Sequence, residues 1–364
     1  MKKSFLLVIS LILVVALFAV GCTKEPAGTP VASDKPTSSA PAQSDEAKDP
    51  PIKLRISTEV PDVTTRFEAV ANRAFVDYLD KNPSIEVDYY PGAALGDQKA
   101  VYDQLGRGQV DIHILQASVI AGVDYPNFSI FDLPYLFSNE EAAKAVLQPD
   151  GPLSTQLRED YAEKTGVRLL CFTVNGFRNV TNSKREIKTP DDLKGIKLRT
   201  MSAPIQIAAW EAADVLVTPM AFTELYSAMQ TGVVDGQENP VAVILSNSFN
   251  EVQKYMTMSR HLLSVGTLVM YEETYQKMTP AQQKHLDEAV QLYYDQFCDS
   301  CTAEDADMLK QIIDKNLMQV YEPTSEEIDA FRQVMQPAAR ELIEKNLDDP
   351  AFLDLLLEEV EKYN

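Results

Sequence analysis

Residues 196–218, Ile-Lys-Leu-Arg-Thr-Met-Ser-Ala-Pro-Ile-Gln-Ile-Ala-Ala-Trp-Glu-Ala-Ala-Asp-Val-Leu-Val-Thr, compress a strand, a helix and a second strand into one short run. Ile196 to Arg199 alternates apolar and basic residues, as a strand does. Residues 203–213 carry helical spacing, and Leu216-Val217-Thr218 is a short strand. Just upstream, Thr189-Pro190-Asp191-Asp192 has a capping Thr and a Pro at the first helical position. Just downstream, Thr223 is expected to cap a helix that runs through Gln230 and stops at Gly232. Strands alternating with helices predict a parallel α/β sheet.

The same alternation occurs earlier in the chain. Leu54-Arg55-Ile56 reads as a strand, and residues 64–80 as a helix with Phe67, Val70, Ala71, Ala74, Phe75 and Tyr78 on one stripe. Ile85 to Tyr90 is a second strand, residues 97–106 a helix, and Val110 to Ile114 a third strand. Val167 to Phe172 adds another strand. Ser138-Asn139-Glu140-Glu141 and Thr324-Ser325-Glu326-Glu327 have capping-box spacing. The last third reads as mostly helical, with long amphipathic stretches from Pro280 and from Glu326. Two α/β lobes predict a cleft binder, because ligands lie beyond the C-terminal ends of parallel strands.

Composition narrows the function. Among 364 residues the net charge is −21, with 45% hydrophobic and 24% charged residues. That is ordinary globular usage, and the acidic balance argues against nucleic acid. An anion must then be captured by local positive groups, since the long-range field repels it. Four Cys are too few for a disulfide framework, and three His leave little room for a His-rich metal site.

The N-terminus reads as an address. Lys2 and Lys3 precede an apolar run from Phe5 to Val20, too short for a permanent span. The exit Ala19-Val20-Gly21-Cys22 resembles the bacterial lipobox, in which the Cys is lipid-modified, although Ala19 stands where Leu is usual. Residues 1–21 are thus expected to be a lipoprotein signal peptide. The segment 22–51, with six prolines from Pro26 to Pro51 and no aromatic residue, is expected to be a disordered tether.

No P-loop, HExxH, GxSxG or GxGxxG motif is present. Cys298 and Cys301 lie on the helical stripe Leu286, Val290, Tyr293, Tyr294, Phe297, which suits either two core cysteines or a disulfide. Cys171 is expected in a buried strand, and His113, His261 and His285 in structural roles. Arg178 and Arg199 fall near strand ends, where a guanidinium can grip a carboxylate through two parallel hydrogen bonds. Spacing alone favours the plainer reading, a surface arginine paired with an acidic neighbour.

Longer motifs add a resemblance. Gly-Phe-Arg-Asn-Val-Thr-Asn-Ser (176–183), Asp-Leu-Lys-Gly-Ile-Lys-Leu-Arg (192–199), the run from Pro219 to Pro240 that ends Asp-Gly-Gln-Glu-Asn-Pro, and Phe-Asn-Glu-Val-Gln-Lys-Tyr (249–255) resemble the solute-binding proteins of TRAP (tripartite ATP-independent periplasmic) transporters, DctP type. Tyr90-Pro91-Gly92, Gly108-Gln109-Val110-Asp111 and Leu133-Pro134-Tyr135-Leu136-Phe137 extend the match over most of residues 53–300.

The resemblance implies a two-lobe periplasmic-binding-protein-like fold (type II-like) with crossing hinge strands and a long helix. Lobe I would hold residues 52–174 and 265–304, lobe II residues 175–264 and 305–364. It implies a binding protein without cofactor, not an enzyme. Such a protein sits outside the cytoplasm, here lipid-anchored through Cys22, and delivers a small organic acid to TRAP membrane permease subunits. The acid could be a sugar acid, a hydroxy acid or a C4-dicarboxylate. A ligand-presenting sensory protein and a surface enzyme acting on organic acids are the alternatives, and a monomer is the default.

By position, Arg199 resembles the arginine that grips the ligand carboxylate and Arg178 the supporting one. Asn239 resembles the asparagine that bonds the same carboxylate, and Phe222 an aromatic wall. Glu59, Gln98 and Gln116 match positions that contact the far end of the ligand in sialic-acid-binding members. The last two are amides here where those members have acids, and Ile114 replaces an aromatic, which argues against sialic acid. Lys99 and Arg107 could hold a second carboxylate only by turning inward.

Overall fold

The structure is a computed structural model that describes residues 49–63 and 66–363. The signal peptide, Cys22 and all of the tether up to residue 48 lie outside the described residues. No helix among the described residues is long and apolar enough to cross a membrane.

Among the described residues nine strands form one mixed sheet: β1 (Ile52–Thr58), β2 (Ile85–Tyr90), β3 (Ile112–Gln116), β4 (Val167–Asn182), β5 (Lys197–Thr200), β6 (Leu216–Pro219), β7 (Gly236–Asn239), β8 (Tyr255–Tyr271) and β9 (Gln319–Tyr321). Their order is β2-β1-β3-β8-β4-β7-β5-β6, with β9 on β8. Two long antiparallel strands, β4 and β8, run the length of the molecule, from the pair Val167 with Tyr271 to the pair Asn182 with Tyr255. At one end β8 carries the parallel set β1–β3; at the other β4 carries β7, β5 and β6. This is the two-lobe fold with crossing strands that the resemblance implied. The long helix Pro280–Asp314 is capped by a box between Thr279 and Gln282.

Both crossing strands are longer than their sequence suggests. The Val167–Phe172 strand continues to Asn182 past a register shift between Val174 and Phe177. Gly176 lies in that shift, with φ +87°. A Cβ there would come within 2.6 Å of Asp305 Oδ2, so a side chain is excluded by contact as well as by conformation. Asp305, on the long helix, accepts a hydrogen bond from Ala242 N (2.6 Å), at the start of the helix Val241–Ser246. Its neighbour Glu304 accepts one from Phe67 N (2.6 Å), at the start of the helix Phe67–Leu79. Consecutive carboxylates of one helix thus hold the N-termini of helices that serve opposite ends of the sheet, where a negative group is favoured.

Burial pushes the Asp305 carboxyl up to about 7, against the pull of the Ala242 N–H. A raised carboxyl contributes its stability fully below its unfolded value of 3.8 and loses it as pH climbs through about 7. Asp305→Asn keeps the acceptor and removes the charge. Its stability advantage over the native protein is therefore expected to grow by on the order of 2–4 kcal/mol between pH 4 and pH 8. Urea unfolding at the two pH values checks this; an advantage independent of pH would mean the carboxyl ionises normally.

Several local expectations need correction. Val70 is exposed, because the buried face of its helix turns toward Glu68, Ala71, Asn72, Phe75 and Val76. That helix starts at Phe67, and residues 64 and 65 lie outside the described set. The third strand begins at Ile112, not Val110. Thr223 caps nothing: it lies in a 3-10 turn, Phe222–Glu224, and the helix starts at Leu225. Asn139, not Ser138, caps the helix Glu140–Val146, accepting from Ala142 N. The box at Thr324 forms as expected; Thr189 caps as expected and also forms a box, but it opens only a 3-10 turn. Cys171, Cys298 and Cys301 are buried free thiols, so the disulfide alternative falls. Each histidine has a structural partner: His113 contacts Ser57 O and Gln98 O, His261 contacts Glu238, and His285 stacks on Tyr78.

Candidate functional site

The parallel strands end around one cavity of about 410 Å³. Glu59 follows β1, Gln116 ends β3, Arg199 lies near the end of β5, Phe222 follows β6 and Asn239 ends β7. That placement is where open α/β sheets bind ligands. Arg178 enters from β4, and Gln98 from the first position of a helix, Gln98–Leu105. All seven residues selected from the sequence line this cavity.

The two arginines differ in what they already hold. Arg178, 2% exposed, is already paired with a carboxylate. Its Nε and Nη2 donate to Glu238 Oε2 (2.5 Å) and Oε1 (2.9 Å), Nη2 also donates to Glu238 O (2.7 Å), and Nη1 donates to Ser264 Oγ (3.3 Å). His261 Nε2 lies 3.1 Å from Glu238 Oε2, and its Nδ1 lies 3.0 Å from Ser259 Oγ. The neutral Nε2–H tautomer satisfies both contacts, and burial holds His261 below its ordinary value. Burial alone would raise Glu238, but the Arg178 charge and the His261 bond bring it down to about 2.

Arg199, equally buried, has no carboxylate partner among the described residues. Its Nε and Nη2 donate to Met220 O (3.1 and 2.8 Å), and its Nη1 makes no hydrogen bond. The Phe222 ring centroid lies 6.0 Å from the guanidinium carbon. Burial lowers Arg199 to about 10; Glu238 opposes that and Arg178 adds to it. A desolvated cation with a bare donor is a site arranged for an anion.

A polar chain continues from the arginines. Ser264 Oγ donates to Gln116 Oε1 (2.9 Å), Gln116 N donates to Gln98 Oε1 (2.8 Å), and Gln98 Nε2 donates to Glu59 Oε2 (2.7 Å). Gln98 N also donates to Glu59 Oε1 (3.1 Å), so Glu59 closes the start of its helix as well as lining the cavity. Burial raises the Glu59 carboxyl, with the Gln98 donors pulling the other way. Asn239 Nδ2 donates to Gln237 Oε1. Lys99 reaches the rim but pairs with Asp103, and Arg107 is exposed outside the lining.

Sequence reasoning missed the wall supplied by the helix Phe67–Leu79 and the residue before it. Arg66 and Glu68 form a buried ion pair there (Nη2 to Oε1, 3.1 Å), and Asn72 is fully buried. Glu68 and Asn72, one helical turn apart beside Phe67, Ala71 and Phe75, were the available signal: polar residues inside an apolar stripe. The role of Glu238 had no such signal.

The family model described as DctP, bacterial extracellular solute-binding protein, family 7, matches residues 56–346. The chain belongs to this family. Family 7 relatives include a solute-binding protein of Verminephrobacter eiseniae, 36% identical over 64% of this chain and 68% of its own length. The 2,3-diketo-L-gulonate-binding periplasmic protein YiaO of Escherichia coli is 31% identical over 61% of this chain and 67% of its own. Among solved family 7 structures, the sugar acid binding protein DctPAm of Advenella mimigardefordensis, in complex with galactonate, superposes with TM-score 0.80. It has 28% identity and covers 87% of this chain and 100% of that one. The family comprises the solute-binding proteins of TRAP transporters rather than enzymes.

Proposed function

We propose that the chain captures a small organic acid by its carboxylate on Arg199 and delivers it to the membrane permease subunits of a TRAP transporter. The observation that supports this reading is the buried Arg199 guanidinium, which lines the cavity, leaves Nη1 without a hydrogen bond and has no carboxylate partner among the described residues. Arg178, already neutralised by Glu238, supports the site by fixing β7 and Ser264. Asn239 and Phe222 are placed to hold the same carboxylate and to wall it. Sugar acids, hydroxy acids and C4-dicarboxylates are the ligand classes considered, and the names of YiaO and DctPAm favour sugar acids. Lobes dividing near Gly176 in β4 and Ser264 in β8 would close on the ligand. Closure would exclude water and strengthen the ion pair. A lipid on Cys22 would keep the protein at the membrane.

A thermal-shift panel of organic acids tests this. One class, at about a hundred times its Kd, is expected to stabilise the protein by roughly 2.7 kcal/mol, a rise of roughly 4 °C. No shift with any acid, together with no acid released on denaturation, would sink the reading.

A further inference from the structure

We infer that Gln206 and Gly122 form a latch beside the cavity, which sets how long a captured ligand stays. Gln206 does so without touching the ligand. This rests on the reading that the chain closes around an organic acid, and it assigns residues that hold the closed arrangement.

Among the described residues the two sets of parallel strands are joined in the sheet only through β4 and β8. A helix from each set meets the other. The helix Ala117–Ala121 follows β3 directly, and the helix Pro204–Glu211 follows β5. Gln206 lies in the run Pro204-Ile205-Gln206-Ile207-Ala208-Ala209-Trp210 and is buried. Its Nε2 donates to Ser118 Oγ (3.0 Å) on the facing helix and to Asp132 Oδ1 (2.8 Å), at the end of the 3-10 segment Pro126–Asp132. Ser118 Oγ in turn donates to Asp132 Oδ1 (2.6 Å). All three side chains lie outside the cavity lining.

A buried contact that served only the fold would satisfy its polar atoms. This one leaves Gln206 Oε1 and Asp132 Oδ2 buried without a hydrogen-bond partner. Half-paired buried groups cost stability, and an apolar side chain at 206 would suit this helix better. A local rule broken in this way marks a residue kept for function.

One helical turn from the bridge the backbones themselves meet. Gly122, four residues after Ser118, has φ −80°, a conformation open to every residue. A Cβ there would nevertheless lie 2.7 Å from Ser202 O and 3.3 Å from Pro204 Cδ. The glycine is needed for close approach, not for a turn. Ser202 lies four residues before Gln206, and both Gly122 and Ser202 line the cavity. Contacts made only when the two halves are closed act mainly on the rate of ligand release.

The test is stopped-flow fluorescence of the full chain. Trp210 is the single tryptophan of the sequence and sits one turn beyond Gln206 on the same helix, so it reports on this contact. The probe is the tightest binder among galactonate, gluconate, erythronate and succinate, or failing these the tightest acid of the thermal-shift panel. Gln206→Leu and Gly122→Ala are each expected to release it about tenfold faster, with association within about twofold of the parent. Gly122 borders the cavity and Gln206 does not, so agreement between the two variants separates a latch from a clash with the ligand. The ligand-free melting temperature is expected to hold in both variants or to rise in Gln206→Leu. Release within about twofold of the parent in either variant overturns the inference. So does a fall of more than about 5 °C in both ligand-free melting temperatures, which would assign the contact to the scaffold. In both cases the carboxylate-capture reading stands. An unmodified chain that binds no acid of the panel overturns that reading and this inference with it.

Discussion

Arg199→Met is expected to abolish acid capture while leaving the empty protein as stable as before or more so. The guanidinium is 2% exposed; among the described residues its hydrogen bonds go to the Met220 carbonyl alone, and Nη1 has none. Burial without a counter-ion pulls it down to about 10, the mark of a charge the fold holds at a cost. Replacing buried ionic groups by apolar side chains of similar size is often neutral, or stabilising by about 1–4 kcal/mol. On the proposed reading the ligand, in contrast, would lose its partner in a closed cleft. Breaking a buried charge pair costs about 3–5 kcal/mol, a hundredfold to several-thousandfold in affinity. Thermal unfolding without ligand and titration with the best acid of the panel measure both halves. A variant that melts several degrees lower yet binds within threefold of the parent would assign Arg199 to the scaffold.

Arg178 behaves in the opposite way. Arg178→Ala leaves Glu238 buried with His261 alone, and Glu238→Ala leaves Arg178 without its carboxylate. Each single change is expected to destabilise by about 3–5 kcal/mol, a large share of the roughly 5–15 kcal/mol that holds a typical protein together. The double change Arg178→Met with Glu238→Leu leaves no unpaired charge and is expected to recover most of that loss. Urea unfolding of the three variants gives the coupling energy directly. Coupling below about 1 kcal/mol would contradict a shared buried pair. The pH dependence has a definite sign. Glu238 is held at about 2 against 4.5 unfolded, so its contribution is complete above pH 4.5 and is lost as pH falls toward 2.

The α/β repeats were legible because their strands and helices alternate apolar and polar residues in the expected periods. Thr189, Thr279 and Thr324 stand at real caps. The second half of β4 and all of β8 were not legible. Asn175, Arg178, Ser264 and Gly266 interrupt them, because one face of each strand lines the cavity rather than an apolar core. The motif resemblance located Arg178, Arg199, Phe222 and Asn239, and the structure gathers them with Glu59, Gln98 and Gln116. What separates the arginines lay beyond sequence: the partner of Arg178 is 60 positions away on a neighbouring strand, whereas Arg199 has only a backbone carbonyl. Thr223 failed as a cap because a 3-10 turn intervenes before its helix.

The crossing strands also set the order of assembly. β3 finds its antiparallel neighbour only in β8, where His113 meets Val269, and β4 pairs along the same late strand. A nascent chain that has not reached residue 271 has β1, β2 and β3 but no strand to join them to β4. Each half is therefore missing a wall until the same late segment arrives. So many distant pairings close together at the end, a topology that folds slowly. The two sides of the cleft are therefore expected to be joined only after β8 has been made, late in the chain.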